Sequence, residues 1–580
     1  MRASFGRYRY SLTRYESALA YALLGVIAGI LSGGIVIAFE HSIEKLALLW
    51  GVGARGDSFE ALPALQRFLI PAVGALLLGL GFSLLRAEDR EVGIVHVISR
   101  LYSSYGMLPW RNLIVQFVAG AIALASGQSG GREGPGVHLG GAINSVVGQK
   151  LALPNNSLRV LIACGSAGGI AAAFNTPLAG VIFAMEVIVS EYTVAGFMPV
   201  MLSAVVASAM SRQLGGGSEI FELSSVTMGT LWEIPYVIVL GFACGIAAAM
   251  LIRISTMTAK LAHWPVALRF SIAGVLTGAL GIVIPQVLGV GYDTLGAVLY
   301  GEIALGALLI IAGAKIFATG VSLGFGMPIG LIGPSLLVGA CTGGFLGLLG
   351  MQYFPELVVD SALYVTIGMG ATMGAAFAAP LAASFAVIEL TQSTSVAMPA
   401  LLAIITAHLT NLTLFRQRSA HRSIIQQLRR LLPDDPLNQL LHRTDVNAVL
   451  EGSVIELSEQ LRPAVAKTLA LQVPKWCLVS RDGEDLFLIG GQELMDWTAE
   501  RYAQSDDPDI TLSITESTLR RWTIAIVPEQ ATLRQVLDIL QARTVEAVCV
   551  YTRVSGRERR LRGIVTRDRI ERFTLDSINS

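Results

Sequence analysis

From about Ala18 to Leu414 the chain is apolar with hardly a break. A water-soluble core has no use for so long an uninterrupted run, whereas a bilayer takes about 20 apolar residues for each helix that crosses it. Ala18 to Phe39, Phe68 to Leu85, Ile234 to Leu251 and Leu305 to Val321 approach that length. Leu158 to Ala173 and Leu363 to Ala378 are shorter and interrupted by glycine. Such broken segments survive at membrane depth only when buried in protein or lining an aqueous cavity, the pattern of a transporter or channel. With 53% hydrophobic and 14% charged residues among 580, a purely cytosolic enzyme is excluded. Lys+Arg and Asp+Glu both total 42, so no net charge draws the chain to nucleic acid, and charge must act locally. The 61 glycines point to close helix packing and interrupted helices.

Arg2, Arg7, Arg9 and Arg14 precede the first span, and Arg416, Arg418, Arg422, Arg429 and Arg430 follow the last. Both ends are therefore expected in the cytoplasm, with an even number of crossings. The five cysteines lie far apart with no C-x-x-C pair and read as small buried residues. After Pro433-Asp434-Asp435-Pro436 the composition becomes that of a soluble domain. There a helix-like Ser458 to Leu471 precedes strand-like Trp476 to Val479 and Leu486 to Ile489. Leu533 to Gln541, Ala547 to Tyr551 and Arg560 to Val565 repeat that order. The paired module gives the tail enough surface to bury a core.

The membrane part repeats as well. Gly131-Arg132-Glu133-Gly134-Pro135, followed by Gly140, matches Gly330-Leu331-Ile332-Gly333-Pro334, followed by Gly339. Phe174-Asn175-Thr176-Pro177-Leu178-Ala179 and Glu186 match Phe377-Ala378-Ala379-Pro380-Leu381-Ala382 and Glu389. Membrane repeats of this kind commonly have inverted topology and a substrate site at their interface. The expected fold is an all-α polytopic membrane protein of two inverted helical repeats with tilted and broken helices, plus a small cytosolic α/β domain. The boundaries are a basic N-terminus at 1–17, a membrane domain at 18–430 with repeats at about 18–215 and 230–415, a linker at 431–443 and the tail at 444–580.

Glycine-rich turns leading into apolar helices present unpaired N–H groups and the positive end of the helix dipole. Two such starts brought together at mid-membrane make an anion site that needs no fixed cation in the path. Arg132, Gly134, Leu331, Ile332 and Gly333 are counted with it. Arg132, costly against lipid, is expected to pair with a carboxylate or with carbonyls at the membrane edge. Glu133 is an ionisable residue inside a glycine-rich apolar stretch, so its default reading is functional. Ionised, its carboxylate imitates the anion and blocks the site; protonated or displaced, it opens the way. The plainer alternative is a carboxylate capping its own helix start.

These segments resemble the CLC family of chloride channels and chloride/proton antiporters. Gly131 to Pro135 is similar to its G-[KR]-E-G-P motif and Gly326 to Pro334 to its G-x-F-x-P region. Phe174 to Gly180 looks like a third shared segment, and the tail resembles a CBS-domain pair. The resemblance implies a homodimer with one pore per subunit, a gating role for Glu133, and Leu331 and Ile332 amides as donors to the central anion. Chloride is the implied ligand and no cofactor is required. Thr566-Arg567-Asp568 resembles the end of a CBS repeat, where either a nucleotide contact or a structural dimer contact is expected.

Three positions depart from the family pattern. Glu91-Val92-Gly93-Ile94-Val95 stands where G-S-G-I-P is usual, so Val92 replaces a coordinating serine. His421 aligns where a tyrosine usually closes the inner end of the path, and is either a pore residue or a surface histidine beside arginines. Val187 occupies the place of the inner, proton-relaying glutamate, one position after Glu186, whose recurrence as Glu389 suggests a structural role. Glu191 or water remains a substitute relay. His138 reads as a packed or pore-adjacent histidine. The expected function is therefore a passive channel for chloride and other small monovalent anions, gated by Glu133, in the cell membrane. The alternative is a proton-coupled antiporter for chloride or fluoride. A membrane metalloenzyme would need a catalytic pair such as H-E-x-x-H, a motif this sequence lacks.

Overall fold

In the computed structural model the described residues are 18–52, 58–190, 194–215, 228, 230–356, 358, 360–428, 440–441, 444–481, 484–504, 510–542, 545–553 and 559–579. The arginines before residue 18, Glu191, Arg429, Arg430, most of the linker at 431–443 and the turn at 433–436 lie outside them. The chain forms two compact units. One comprises residues 1–153 with 157–432, the other 154–156 with 433–580.

The first half of the membrane unit contains α1 (Ala18–Leu48), α2 (Ala64–Leu84), α3 (Gly93–Ser103), α4 (Trp110–Ala125), α5 (Glu133–Lys150), α6 (Asn155–Phe174), α7 (Pro177–Phe183) and α8 (Val194–Leu214). The second contains α9 (Ile234–Ala259), α10 (Val266–Val283), α11 (Tyr292–Leu299), α12 (Leu305–Gly324), α13 (Ile332–Tyr353), α14 (Ser361–Phe377), α15 (Pro380–Thr391), α16 (Ala397–Leu409) and α17 (Ala420–Gln427). Among the described residues nine helices are long and apolar enough to cross a membrane, and α4, α14 and α15 are shorter apolar helices. On α2, Leu69, Val73, Leu76, Leu77 and Leu80 are exposed, while the opposite face, with Ile70, Ala75, Leu78 and Phe82, is buried. An apolar outer face is what a lipid-bathed helix requires. The whole apolar stretch of α6 is buried, which makes it a helix wrapped by protein.

The repeat is visible in the packing. α1 lies on α8 as α9 lies on α16, and three corresponding elements meet their own counterparts: α2 on α10, α7 on α15, and the start of α5 on the start of α13. The last contact is an antiparallel bridge between Gly131 and Gly330. Equivalent helices also stop for the same reason. Asn175 (φ 58°) and Ala378 (φ 53°) each adopt the left-handed conformation, and a proline follows two residues later. Neither the turn nor the proline can continue a helix.

In the tail each module opens with a strand that periodicity did not reveal. Strand β1 (Val454–Ser458) runs parallel to β2 (Trp476–Arg481), which is antiparallel to β3 (Glu484–Gly490). Strand β4 (Ile524–Pro528) runs parallel to β5 (Ala547–Arg553), which is antiparallel to β6 (Arg559–Thr566). Ser458, expected at the head of a helix, closes β1, and the helix begins only at Pro463, whose fixed φ suits a first helical position. The modules share a cluster of Leu478, Leu488, Ala547, Cys549, Tyr551 and Ile564, and the Trp476 and Trp522 rings meet edge to face at 4.9 Å. All five cysteines are free and buried.

Candidate anion site at the joint of two helix starts

The Gly131–Gly330 bridge holds the N-termini of α5 and α13 against each other, with Gly131 N donating to Gly330 O at 2.8 Å and Gly330 N to Gly131 O at 2.7 Å. Backbones come this close only because side chains are missing. A Cβ on Gly134 would lie 2.5 Å from Gly330 Cα, and one on Gly330 would lie 2.6 Å from Gly134 N. Ser129 and Thr319 hydroxyls, 2.9 Å apart, tie the approaches to the two turns. Gln116 adds a third helix start: its Oε1 accepts Gly93 N at 2.7 Å and its Nε2 donates to Pro328 O at 3.3 Å. Val92, the N-cap residue of α3, offers no hydroxyl and packs its partly buried side chain against an apolar cluster that includes Phe39 and Ile329.

Glu133 is completely buried at this joint. Its Oε2 accepts Gly333 N at 3.3 Å and its Oε1 accepts the Tyr292 hydroxyl. The carboxylate thus takes one N–H of the opposite helix start. Pro334 has no N–H to give, so the amides of Leu331 and Ile332 remain at that start without an intrahelical acceptor. Tyr292 opens α11 after Gly291 (φ 89°), and Lys315, buried in α12, pins the preceding loop by donating to Val287 O at 3.1 Å and Gly289 O at 2.8 Å. Arg132 has the carboxylate partner expected of it: Nε lies 3.3 Å from Glu40 Oε1 on α1, and the guanidinium sits 5.3 Å from the centre of the Tyr292 ring. The joint accordingly combines oriented N–H groups, one hydroxyl and one competing carboxylate, and it can hold a small dehydrated anion without a cation in direct contact.

Glu186 accepts Leu381 N at 3.3 Å and Ala382 N at 2.9 Å at the start of α15. Glu389 returns the favour to α7, accepting Leu178 N at 2.9 Å and Ala179 N at 2.8 Å. These reciprocal caps are structural and explain why the acid recurs. Val187 lines a cavity of about 260 Å³ with Glu186, His408, Arg418 and Arg422. His421 is not a surface residue: it is buried at the start of α17 with its ring 5.1 Å from that of Phe377. His138 is buried and bonded to His96.

The sequence reading did not single out Tyr292, Glu40, Lys315 or His96. Glu40 and Lys315 carry a legible signal, being charges inside apolar helices. Tyr292 does not, since its role depends on a loop brought from another part of the chain.

Fold and site together define a multi-pass, inverted-repeat membrane protein with two broken helices meeting at its centre. The family model described as voltage gated chloride channel matches residues 73–412. A protein of Ralstonia nicotianae named "Putative chloride channel protein ClcB-like" is 31% identical over 67% of this chain and 92% of its own length. The H(+)/Cl(-) exchange transporter ClcA of Vibrio cholerae is 29% identical over 76% of this chain and 93% of its own. Among solved structures, a slow cyanobacterial Cl-/H+ antiporter has a TM-score of 0.61 at 23% identity, covering 71% of this chain and 98% of that one. A eukaryotic CLC transporter has 0.56 at 19% identity and covers 96% of this chain, tail included, and 97% of that one. The chain belongs to the CLC family of voltage-gated chloride channels and their exchanger relatives.

Proposed function

We propose that the chain exchanges chloride for protons across a membrane, with Glu133 as the group that both ions contest. The observation that carries this reading is the seat of Glu133, whose carboxylate takes the Gly333 N–H beside the Leu331 and Ile332 amides. Ionised, it holds the place of an anion; protonated, it loses its attraction to the helix starts and yields that place. A chloride entering and a proton arriving then have the same consequence, which is the basis of coupling. ClcA of Vibrio cholerae, similar over most of the chain, is named as an H(+)/Cl(-) exchange transporter.

In this reading Leu331, Ile332, Gly333 and Gly134 form the anion contact through backbone, Arg132 contributes its field from its pairing with Glu40, and His421 and Val92 border the inner part of the path. The protein works as a homodimer with one pathway per subunit and both termini in the cytoplasm. The tail acts as a CBS-type regulatory pair built from the repeated βαββα module. A passive channel is the second reading, favoured by Val187, which cannot carry a proton. Reconstitution in liposomes with a chloride gradient separates the two. Exchange moves protons against their own gradient, whereas a channel lets chloride pass and leaves protons still.

A further inference from the structure

If Val187 cannot relay protons, an exchanger needs another route to Glu133. Two fully buried histidines outside the anion joint supply its elements. His96, on the first turn of α3, and His138, on α5, are hydrogen-bonded through His96 Nδ1 and His138 Nε2 at 2.9 Å, with ring centres 5.2 Å apart and planes inclined by 27°. The far nitrogen of His96 faces two groups: Glu91 Oε2 at 3.6 Å and Arg100 Nε, which donates to it at 3.3 Å. Glu91 is partly open to solvent, its side chain 27% exposed. The far nitrogen of His138, Nδ1, is buried with no hydrogen-bond partner among the described residues.

We propose that Glu91, His96 and His138 form a proton relay that replaces the missing inner acid, an inference that rests on the exchange reading above. The geometry permits two tautomeric states of the pair. With Arg100 donating to His96 Nε2, the His96 proton is on Nδ1 and points to His138 Nε2, so His138 carries its own proton on the unpartnered Nδ1. With His96 Nε2 protonated and turned to Glu91, the inter-ring proton belongs to His138 and its Nδ1 is bare. Passage between the two states carries one proton across both rings. The Glu91 acid O–H breaks as His96 Nε2–H forms. The His96 Nδ1 proton moves to His138 Nε2. The His138 Nδ1 proton then leaves along water to the Glu133 carboxylate, which becomes the acid while Glu91 is left ionised. No ring keeps a charge, which matters beside Arg100 in a low-dielectric interior. Reversal of these steps would return the proton to Glu91, so each net passage is followed by reorientation of both side chains, with their protons, that restores the starting order of donor and acceptor. The last leg lies along one helix: Glu133 is five residues before His138, about 7.5 Å along the axis and about 140° around it at ~1.5 Å and ~100° per residue, a gap that water has to bridge.

A hydrogen-bonded pair serving only to pack α3 against α5 would stabilise the fold equally well with glutamine, which also donates and accepts but cannot pass a proton on. The test is the ratio of proton uptake to chloride efflux in liposomes for the full-length wild type, His96→Gln and His138→Gln. The relay predicts that the ratio falls at least about tenfold in either variant while chloride still moves. A wild-type ratio in both variants would overturn it. If a histidine variant yields no folded protein, Glu91→Gln leaves the pair intact and removes the entry acid, and an unchanged ratio there overturns the relay as well. A wild type that moves chloride without protons would overturn exchange itself and the relay with it, and is recognised before any substitution is made.

Discussion

Glu133→Gln tests the coupling in its simplest form, because it keeps the shape of the side chain and removes its charge and its proton. The seated carboxylate accepts two hydrogen bonds, from Tyr292 and Gly333. Bonds to a charged acceptor contribute about 1.5–3 kcal/mol each and bonds between neutral partners about 0.5–1.5. The amide keeps one of the two, since only its oxygen accepts, and loses the other, so the difference between acid anion and amide is about 2.5–4.5 kcal/mol. At about 1.4 kcal/mol per factor of ten, this shifts the balance between seated and displaced side chain roughly 60- to 1,600-fold toward displaced. The variant should therefore bind chloride in the joint more readily than the wild type, by a factor of that order. The amide also has no titratable proton, so chloride flux should lose its pH dependence and no proton should move in exchange. Isothermal titration with chloride and paired ion-flux recordings in liposomes read the two effects separately. Unchanged chloride affinity together with intact proton exchange would refute the reasoning at its root.

Tyr292→Phe removes one donor from the same carboxylate without touching its proton; the displaced state should gain about 10- to 100-fold, so turnover should change while the proton-to-chloride ratio is kept, and loss of the ratio would count against the assigned roles. Ala378 adopts φ 53° where only glycine is unstrained, so Ala378→Gly should stabilise the detergent-solubilised protein by about 1 kcal/mol, read as a higher unfolding midpoint. In the tail, Glu451 joins the two modules, bonded to Lys475 Nζ at 2.9 Å and Arg569 Nη1 at 2.6 Å. The Lys475 hydrogen bond, helped by the charges of Lys475 and Arg569, holds its carboxyl below the usual carboxylate range. A depressed acid contributes stability above its unfolded pKa and loses it as pH falls through the folded value. Glu451→Gln should thus reduce hydrogen-exchange protection of the tail in the full-length protein at pH 7, by roughly 0.5–1 kcal/mol. The deficit should close toward pH 3, and a deficit independent of pH would contradict the ion-pair account.

Much of this protein is legible from periodic and local signals. Long apolar runs and the matched motifs of the two halves are properties of short segments, so the internal repeat and the helix starts at Glu133 and Ile332 can be read directly. Contacts between distant segments are of another kind. Nothing near Tyr292 in the chain says that its hydroxyl meets Glu133, and nothing near His96 says that it faces His138; both depend on how non-adjacent helices cross. His421 shows the same limit, since a histidine among arginines looks exposed until Phe377 is packed against it. The opening strands of the tail modules were hidden because parallel pairing is non-local: β1 finds its partner only after the intervening helix. The channel expectation joined the two helix starts and their buried acid to the missing inner acid at Val187; the similar proteins include H(+)/Cl(-) exchange transporters, so the antiport alternative fits at least as well.

The central claim is that a mobile acid and a small anion share one seat between two helix starts. Anomalous diffraction from crystals soaked in bromide measures this most directly, comparing wild type with Glu133→Gln. The account predicts bromide within hydrogen-bond reach of the Leu331 and Ile332 amides in both proteins, and a further bromide beside Gly333 N only where the carboxylate has been replaced. Bromide absent from the joint in both crystals, or the same sites occupied regardless of residue 133, would contradict it.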